Sequence, residues 1–410
     1  LQSESRPQGG KGLQQELTLK GKTILLAATG GIAVYKSCEL VRLLMKRGAD
    51  VRVVMTENAA KFVTPLTFEA LSGHPVVTSE WDTRSGVMPH IRLSDGADLI
   101  IVAPATANTI AKAACGIADN AVSTLICARR APIAFAPAMN TRMWENPANT
   151  RNIETLKQDG IEVWGPAAGS LACGDTGTGR MLEPEEIASR TELFLHRKPL
   201  AGRRILITAG PTYEAIDPVR GITNRSSGRQ GYAIAREAAL RGAAVTLISG
   251  PVSLPVPFGV PRISVDSASA MRDEVLKRTS GADAFISVAA VSDWRPEHVS
   301  DQKIKKDGKA VTLSLTENPD ILSEVGHLSA GRPAVVIGFA AETENIISYA
   351  SKKLRAKAAD LIIANDAAHA LGSEDNDAVF VTESGAEPLG PGPKSRVAEA
   401  ILDRLASLLA

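Results

Sequence analysis

Two stretches of the chain repeat one alternation of apolar and polar positions. In KTILLAATGGIAVYKSCELVRLLMKRGADVRVVMT (22–56), an apolar run meets a Gly-Gly turn. Apolar residues then recur at helical spacing, and a second apolar run follows a glycine. RRILITAGPT (203–212) and, after an insertion, GYAIAREAALRGAAVTLISG (231–250) repeat that order. A period that passes from strand to helix and back predicts a βαβ unit in each place. The glycine of KRGAD and of LRGAA falls where a helix end favours positive φ. The flanking strands are apolar on both faces, as strands buried in a parallel sheet are.

Further apolar runs predict strands at DLIIVAPA (98–105), PIAFAPA (132–138), AFISVAA (284–290), AVVIGFAA (334–341) and DLIIAND (360–366), with helical segments between them. The alternation predicts an α/β protein: two doubly wound, Rossmann-like domains with mainly parallel sheets. The 410 residues exceed one ordinary core and suit two domains. We place a disordered lead-in at 1–19, a first domain at 20–197 and a second at 198–410. The break falls in LHRKPLAGRR (195–204), where Lys, Pro and Gly interrupt the pattern. RPEHVSDQKIKKDGKA (295–310) is polar and aperiodic and reads as a mobile loop. Ligands in such sheets bind at the carboxyl ends of the strands. The segments to inspect are therefore ATGG, APATAN, APAMN, TAGPT, VAAVSDW, GFAAET and ANDA.

Composition narrows the classes. A formal net charge of +1 gives no large footprint for nucleic acid or an anionic membrane. Cys38, Cys115, Cys127 and Cys173 form no C-x-x-C pair and no zinc spacing, which reads as a reduced, cytoplasmic protein. The polar start is no signal peptide. No apolar run approaches the roughly 18 residues that span a membrane.

In the first half, TGGIAVYK (29–36) is a turn from strand to helix whose free N–H groups suit a phosphate. A tight turn without a ligand is the plainer reading, and the G-x-G-x-x-G dinucleotide fingerprint is absent. APATANT (103–109) and APAMNTRMW (136–144) each follow a strand ended by proline, and put the amides of Asn108 and Asn140 at ligand-facing ends. His90 stands alone in MPHIRLSDGADLI, where a structural or solvated role is commoner than catalysis. LACGDTGTGRM (171–181) surrounds Cys173 with glycines, as a small buried residue beside a turn or as a reactive thiol on a closing loop.

GGIAVYK, PATANT, PAMNTRMWENP and ACGDTGTGRM, in this order over about residues 20–190, resemble the flavin-dependent cysteine decarboxylases. More closely, they resemble the decarboxylase half of the bifunctional phosphopantothenoylcysteine decarboxylase/phosphopantothenate–cysteine ligase family of coenzyme A biosynthesis. The resemblance implies a flavodoxin-like half that binds FMN through Gly30, Gly31, Ile32, Thr56, Thr106 and Asn108. His90 would be the base that helps FMN oxidise the substrate thiol to a thioaldehyde, an electron sink that lets the adjacent carboxylate leave as carbon dioxide. Asn140, with Met143 nearby, would clamp that carboxylate. Cys173 would protonate the enethiol as reduced FMN returns its hydride. A glycine-rich flap suits a thiol that must close over a reactive species and exclude water.

In the second half, TAGPTYEAIDPVRGITNRSSGRQGYAIA (208–235) is dense in small and polar residues before a helix. NRSSG (224–228), with Ser226 and Gly228, opens that helix as an anion site or as an ordinary serine cap. Arg220, Asn224 and Arg225 beside it favour a phosphate ligand. Asp293, in AAVSDW (289–294), is a candidate metal ligand, and KIKK (303–306) is a basic cluster that is more often only solvated. No Walker signature occurs, so a nucleotide triphosphate would bind without a P-loop. Over about residues 200–406 these motifs resemble the ligase half of the same family.

That resemblance implies condensation of 4'-phosphopantothenate with cysteine through an acyl-cytidylate formed from CTP. Lys303 would neutralise the phosphates, Asp293 would hold Mg²⁺, Asn224 would orient the acyl-cytidylate and Arg220 would support the substrate end. Ser287, Val288, Ala289, Pro319, Asp320, Ile321, Leu322 and Phe339 would surround the cytidine nucleotide, with Lys353 and Lys357 completing it. Arg229-Gln230 stands where the family has Lys-Met, and the segment between KIKK and NPD is short. The family also implies a homo-oligomer, with trimeric contacts in the flavin half and dimeric contacts in the ligase half. Three other readings are an enzyme with one inactive half, a nicotinamide oxidoreductase and a non-catalytic nucleotide-binding module. The first conflicts with the presence of both residue sets, the second with the missing fingerprint. The third would leave Cys173 and KIKK coincidental.

Overall fold

The structure is a computed structural model that describes residues 17–81, 94–170, 176–306, 311–342, 344–366 and 375–410. The chain divides into two compact units, one up to Leu195 and one from His196 to Ala410. Among the described residues no helix is long and apolar enough to cross a membrane.

The first unit carries β1 (Thr23–Ala28), β2 (Asp50–Met55), β3 (Leu99–Ala105), β4 (Ile133–Pro137) and β5 (Glu162–Val163) in one parallel sheet. Its spatial order is β2-β1-β3-β4-β5. Side chains alternate across a strand, so β1 feeds two cores at once. Ile24, Leu26 and Ala28 join Val51 and Val53 on one face, while Leu25 and Ala27 join Ile100 and Val102 on the other. Each such Leu or Ile contributes about 1.5–3 kcal/mol over its exposed state. A polar residue at any of these positions would be desolvated without a partner. The helix Val34–Lys46 returns the chain from β1 to β2, burying Val34, Leu40, Val41 and Leu44. It ends at Gly48, whose φ of 94° bears out the role read for KRGAD. β6 (Ala167–Ser170) and β7 (Thr176–Arg180) form an antiparallel hairpin. Leu19 is buried and its N–H donates to the Arg47 carbonyl at 2.8 Å, so the tail of the segment read as a lead-in belongs to the packed unit.

The second unit begins with β8 (Arg204–Ala209), followed by a small antiparallel hairpin of β9 (Tyr213–Ala215) and β10 (Gly221–Thr223). β11 (Ala244–Ser249), β12 (Arg262–Ser264) and β13 (Ala284–Ser287) continue the main sheet, and β14 (Trp294–Pro296) pairs with β15 (Leu315–Glu317). β16 (Val335–Glu342), β17 (Leu361–Asp366), β18 (Asp375–Thr382) and β19 (Gly385–Pro393) complete it. The order is β12-β11-β8-β13-β16-β17-β18-β19, parallel as far as β17 and antiparallel beyond. Here too β8 divides its residues: Ile205, Ile207 and Ala209 face one core, and Leu206 faces the other with Phe285. The helix Arg229–Leu240 lies between β10 and β11, and Gly242 at its end has φ 88°.

The polar stretch after β14 is more tethered than its composition suggests. Backbone N–H groups of Glu297, Ser300 and Ile304 donate to the Ser314 carbonyl, the Ile216 carbonyl and the Asp217 carboxylate. Composition reports a segment's own chemistry, whereas these acceptors come from chain far away in sequence.

Candidate active sites in the two units

A doubly wound sheet opens a crevice where its strand order reverses. In the first unit that point lies between β1 and β3, whose exits carry Gly30-Gly31 and Thr106. A cavity of 1140 Å³ lies there. It brings together the sequence-predicted Gly30, Gly31, Ile32, Thr56, Thr106, Asn108 and Asn140, with Met143.

Local hydrogen bonds fix each of these segments. Thr56 Oγ1 accepts from the Ala59 N–H and Thr106 Oγ1 from the Thr109 N–H, so both threonines cap helices that begin at the cavity. Buried Thr29 donates to the Pro104 carbonyl at 2.5 Å and accepts from the Thr106 N–H at 3.3 Å, which ties the β1 exit to the β3 exit. The Ala138 N–H donates to the Ala105 carbonyl at 3.0 Å and joins the β4 exit to the same frame. Asn140 caps the short helix Thr141–Trp144 through its Oδ1.

The β6–β7 hairpin closes onto this frame. The Met139 N–H donates to the Gly179 carbonyl at 2.9 Å. Gly179 has φ 149°, and a Cβ there would lie 2.2 Å from the Met139 carbonyl oxygen. The hairpin therefore sits against the Pro-Ala-Met-Asn turn at a distance only glycine allows. His90 and Cys173 lie outside the described residues, the latter within 171–175 between β6 and β7.

Sequence reasoning passed over Lys36 and Glu183. Lys36 Nζ is buried, lines the cavity, and donates to both Glu183 oxygens at 3.0 and 3.1 Å. Arg180, at the end of β7, pairs with the same carboxylate. Burial pushes the Glu183 carboxyl up, but Lys36 and Arg180 outweigh it and hold it below its ordinary range. A lysine inside an otherwise apolar helix face was the available signal.

The second unit has the strand order 3-2-1-4-5-6 if its strands from β8 outward are numbered along the chain, so its crevice opens between β8 and β13. A cavity of 810 Å³ lies there. It gathers Asn224, Ser226 and Gly228 from the start of the helix Arg229–Leu240, and Ser287, Val288, Ala289 and Asp293 from the β13 exit. Pro319, Asp320, Ile321, Leu322, Phe339, Lys353 and Lys357 complete the sequence-predicted set. Asn365, from the ANDA segment singled out above, also lines it, as does Lys394, which was not foreseen.

Asn224 Nδ2 donates to the Ala290 and Val291 carbonyls at 3.1 and 3.2 Å, fastening one wall to the other. Asp320 caps the helix Ile321–Gly326 and pairs with Lys357. Burial raises the Asp320 carboxyl, but Lys357, the Ser323 N–H and Lys353 together hold it below its ordinary range. Among the described residues no cluster of three His, Cys, Asp or Glu forms a metal cage. Asp293 lines the cavity with two further carboxylates, Glu317 and Asp320.

Arg220 and Lys303 are not among the residues lining this cavity. Arg220 donates to the Asp217 carboxylate and, at 2.7 Å, to the Ile304 carbonyl next to Lys303. Gln230, part of the departure from the resembled pattern, donates to the Lys394 carbonyl at 3.1 Å and joins two helix starts.

Residues 13–196 match the Flavoprotein family profile, and residues 200–409 match the DNA/pantothenate metabolism flavoprotein C-terminal domain. The coenzyme A biosynthesis bifunctional protein CoaBC of Vibrio vulnificus is 49% identical over 398 residues, covering 96% of this chain and 99% of that protein. The chain belongs to the CoaBC family. The CoaBC of Escherichia coli is 46% identical over 399 residues, covering 95% of this chain and 98% of its own. A solved C-terminal domain of a CoaBC protein is 40% identical, with a TM-score of 0.45, covering 52% of this chain and 98% of that one. As a CoaBC enzyme the chain is bifunctional in coenzyme A biosynthesis: a flavoprotein phosphopantothenoylcysteine decarboxylase and a phosphopantothenate–cysteine ligase.

Proposed function

We propose that the first unit binds FMN in the cavity between the β1 and β3 exits, and that the second binds CTP with Mg²⁺ between the β8 and β13 exits. The carrying observation is that both cavities open where the strand order reverses. The first cavity suits FMN by its donors, with two helix starts capped by threonine and a Gly-Gly turn. Its 1140 Å³ leaves room for a substrate beside the cofactor.

When bound, FMN supplies a two-electron acceptor for the substrate thiol and returns the pair after carbon dioxide leaves. His90 takes the proton released as the substrate thiol is oxidised. Asn140, oriented by its cap on the helix Thr141–Trp144, holds the substrate carboxylate. Cys173, which follows β6 in sequence, delivers the final proton to an intermediate that must be kept from water.

In the second unit the chemistry is activation of a carboxylate by nucleotidyl transfer, followed by attack of the cysteine amine. Positioning and charge neutralisation carry most of such a reaction. The start of the helix Arg229–Leu240, with Ser226 and Gly228, takes a phosphate. Lys353 and Lys357 face the nucleotide, and Lys303 neutralises the phosphates as pyrophosphate leaves. Asp293 contributes one ligand to an ion carried by those phosphates. Asn224 orients the activated carboxylate. Residues 20–197 and 198–410 act as the two catalytic domains of a cytoplasmic homo-oligomer, trimeric through the first and dimeric through the second.

The test is a full-length preparation with its flavin released and identified, then assayed with 4'-phosphopantothenate, cysteine and CTP. FMN, CTP-dependent pyrophosphate release and carbon dioxide formation support the reading. A preparation that holds no FMN and takes none up removes the first assignment. Equal turnover with ATP removes the nucleotide assignment.

A further inference from the structure

The ligase half contains a carboxylate that neither cavity exposes. Asp217 is 1% exposed and sits in the turn between β9 and β10. Its two oxygens divide their work. Oδ1 accepts from the Val219 and Arg220 N–H groups, both at 2.9 Å, which is the local task of any turn aspartate. Oδ2 accepts from the Arg220 guanidinium and, at 3.2 Å, from the Ile304 N–H, 87 residues away. Arg220 then donates to the Ile304 carbonyl at 2.7 Å. The peptide groups on both sides of Ile304 are therefore held by one ion pair.

Turn formation needs only Oδ1, so the second oxygen has another use. The residue before Ile304 is Lys303, on a long and flexible stem. A lysine that must neutralise phosphate gains from a fixed base, because misplacement of a charged group is costly in a transition state. The Ser300 N–H adds a third point, donating to the Ile216 carbonyl at 3.0 Å beside Asp217. The carboxylate also offsets the charge of Arg220 next to Lys303, Lys305 and Lys306, which would otherwise repel it. The same hairpin leads through β10 to Asn224, which lines the cavity.

We infer that Asp217 is a positioning residue of the ligase reaction, which acts by clamping the Ile304 backbone together with Arg220 and thereby fixing where Lys303 is presented. This rests on the reading of Lys303 as the phosphate-neutralising cation.

The experiment uses the full-length flavin-loaded enzyme with Asp217→Asn, Ile304→Pro and Lys303→Gln. CTP-dependent pyrophosphate release is measured together with amide hydrogen exchange. Decarboxylation of supplied phosphopantothenoylcysteine reports that the other unit is intact. Asp217→Asn should lower kcat for pyrophosphate release tenfold or more and speed exchange at 303–306, with the parallel sheet of its unit unchanged. Ile304→Pro removes the remote N–H without touching the carboxylate, and should lower release in the same direction even if Asp217→Asn folds poorly. Lys303→Gln should lower release on the order of 10²–10³-fold while leaving exchange at 304–306 as in the parent. Normal release in both Asp217→Asn and Ile304→Pro overturns the clamp. Faster exchange throughout residues 196–410 in Asp217→Asn, with normal release in Ile304→Pro, overturns it in favour of a general structural role. Normal release in Lys303→Gln overturns the Lys303 reading itself, and is told apart because the exchange result at 303–306 still reports the clamp.

Discussion

The two units solve one problem with different materials. Each holds a mainly parallel sheet between two apolar cores and opens a crevice where the strand order reverses. Each also fastens a segment from elsewhere in its sequence with a carboxylate shared between partners. In the first unit that carboxylate is Glu183, whose side chain is 48% exposed and which joins Lys36 of the cavity wall to Arg180 of the hairpin. In the second it is Asp217, whose side chain is 0% exposed and which joins the turn to the Lys303 segment. A half-exposed carboxylate between two cations is partly screened. A buried one, holding three backbone N–H groups and a guanidinium, is not. The difference teaches that the first fastening is screened by water and the second is desolvated.

Breaking each unit at its chemistry should give the largest and cleanest contrast. Lys303→Gln should lower CTP-dependent pyrophosphate release by on the order of 10²–10³-fold, the scale for removing one transition-state donor, and spare decarboxylation of supplied phosphopantothenoylcysteine. Cys173→Ser should do the reverse: pyrophosphate release persists, carbon dioxide forms, and the product stays unreduced by mass spectrometry. If either variant impairs both activities equally, the two sites are not independent and the comparison fails.

Gly179→Ala tests the close approach of the hairpin. The added Cβ would lie 2.2 Å from the Met139 carbonyl, so the hairpin must shift away from the Asn140 turn. A shift of about 1 Å costs on the order of 10²-fold, and the loss should appear in decarboxylation alone. Wild-type decarboxylation would mean that the hairpin contact is incidental. Glu183→Gln is milder because its pairs are partly solvated. Decarboxylation should fall roughly fivefold, the scale of one exposed ion pair, with ligase turnover unchanged.

Much of this frame was legible in the sequence. β-branched runs, helical periodicity and the Gly of KRGAD and LRGAA report buried parallel strands and helix ends, because those demands are local. The observed β1, β3, β4, β13, β16 and β17 fall on the apolar runs. β19 escaped because GAEPLGPGP has almost no apolar content, and its prolines are tolerated only at a sheet edge. The cavity walls were legible because ligand-facing loops follow strand ends. Lys36–Glu183 and Asp217–Ile304 were not, because the partners stand 147 and 87 residues apart and no local pattern encodes them.

The smallest effect sharpens the comparison through pH. Glu183 lies below its ordinary value of 4.5, where burial is outweighed by Lys36 and Arg180. Asp217 lies well below its ordinary 3.8, chiefly through Arg220, with burial opposing and three backbone N–H groups assisting. A depressed carboxylate contributes stability above its ordinary value, and that contribution is lost as pH falls through its folded value. Neither Glu183→Gln nor Asp217→Asn can titrate at that site. The gap in denaturant midpoint between the parent and Glu183→Gln should therefore be constant near neutrality and shrink as pH falls below 4.5. The gap for Asp217→Asn should survive further acidification, because its carboxyl keeps its charge in the folded chain well below 3.8. Unfolding followed by tryptophan fluorescence from pH 7 downward measures both gaps in full-length protein. If the Asp217 gap closes first, the buried carboxylate is not the firmer of the two fastenings, and the contrast between a screened pair and a desolvated one is wrong.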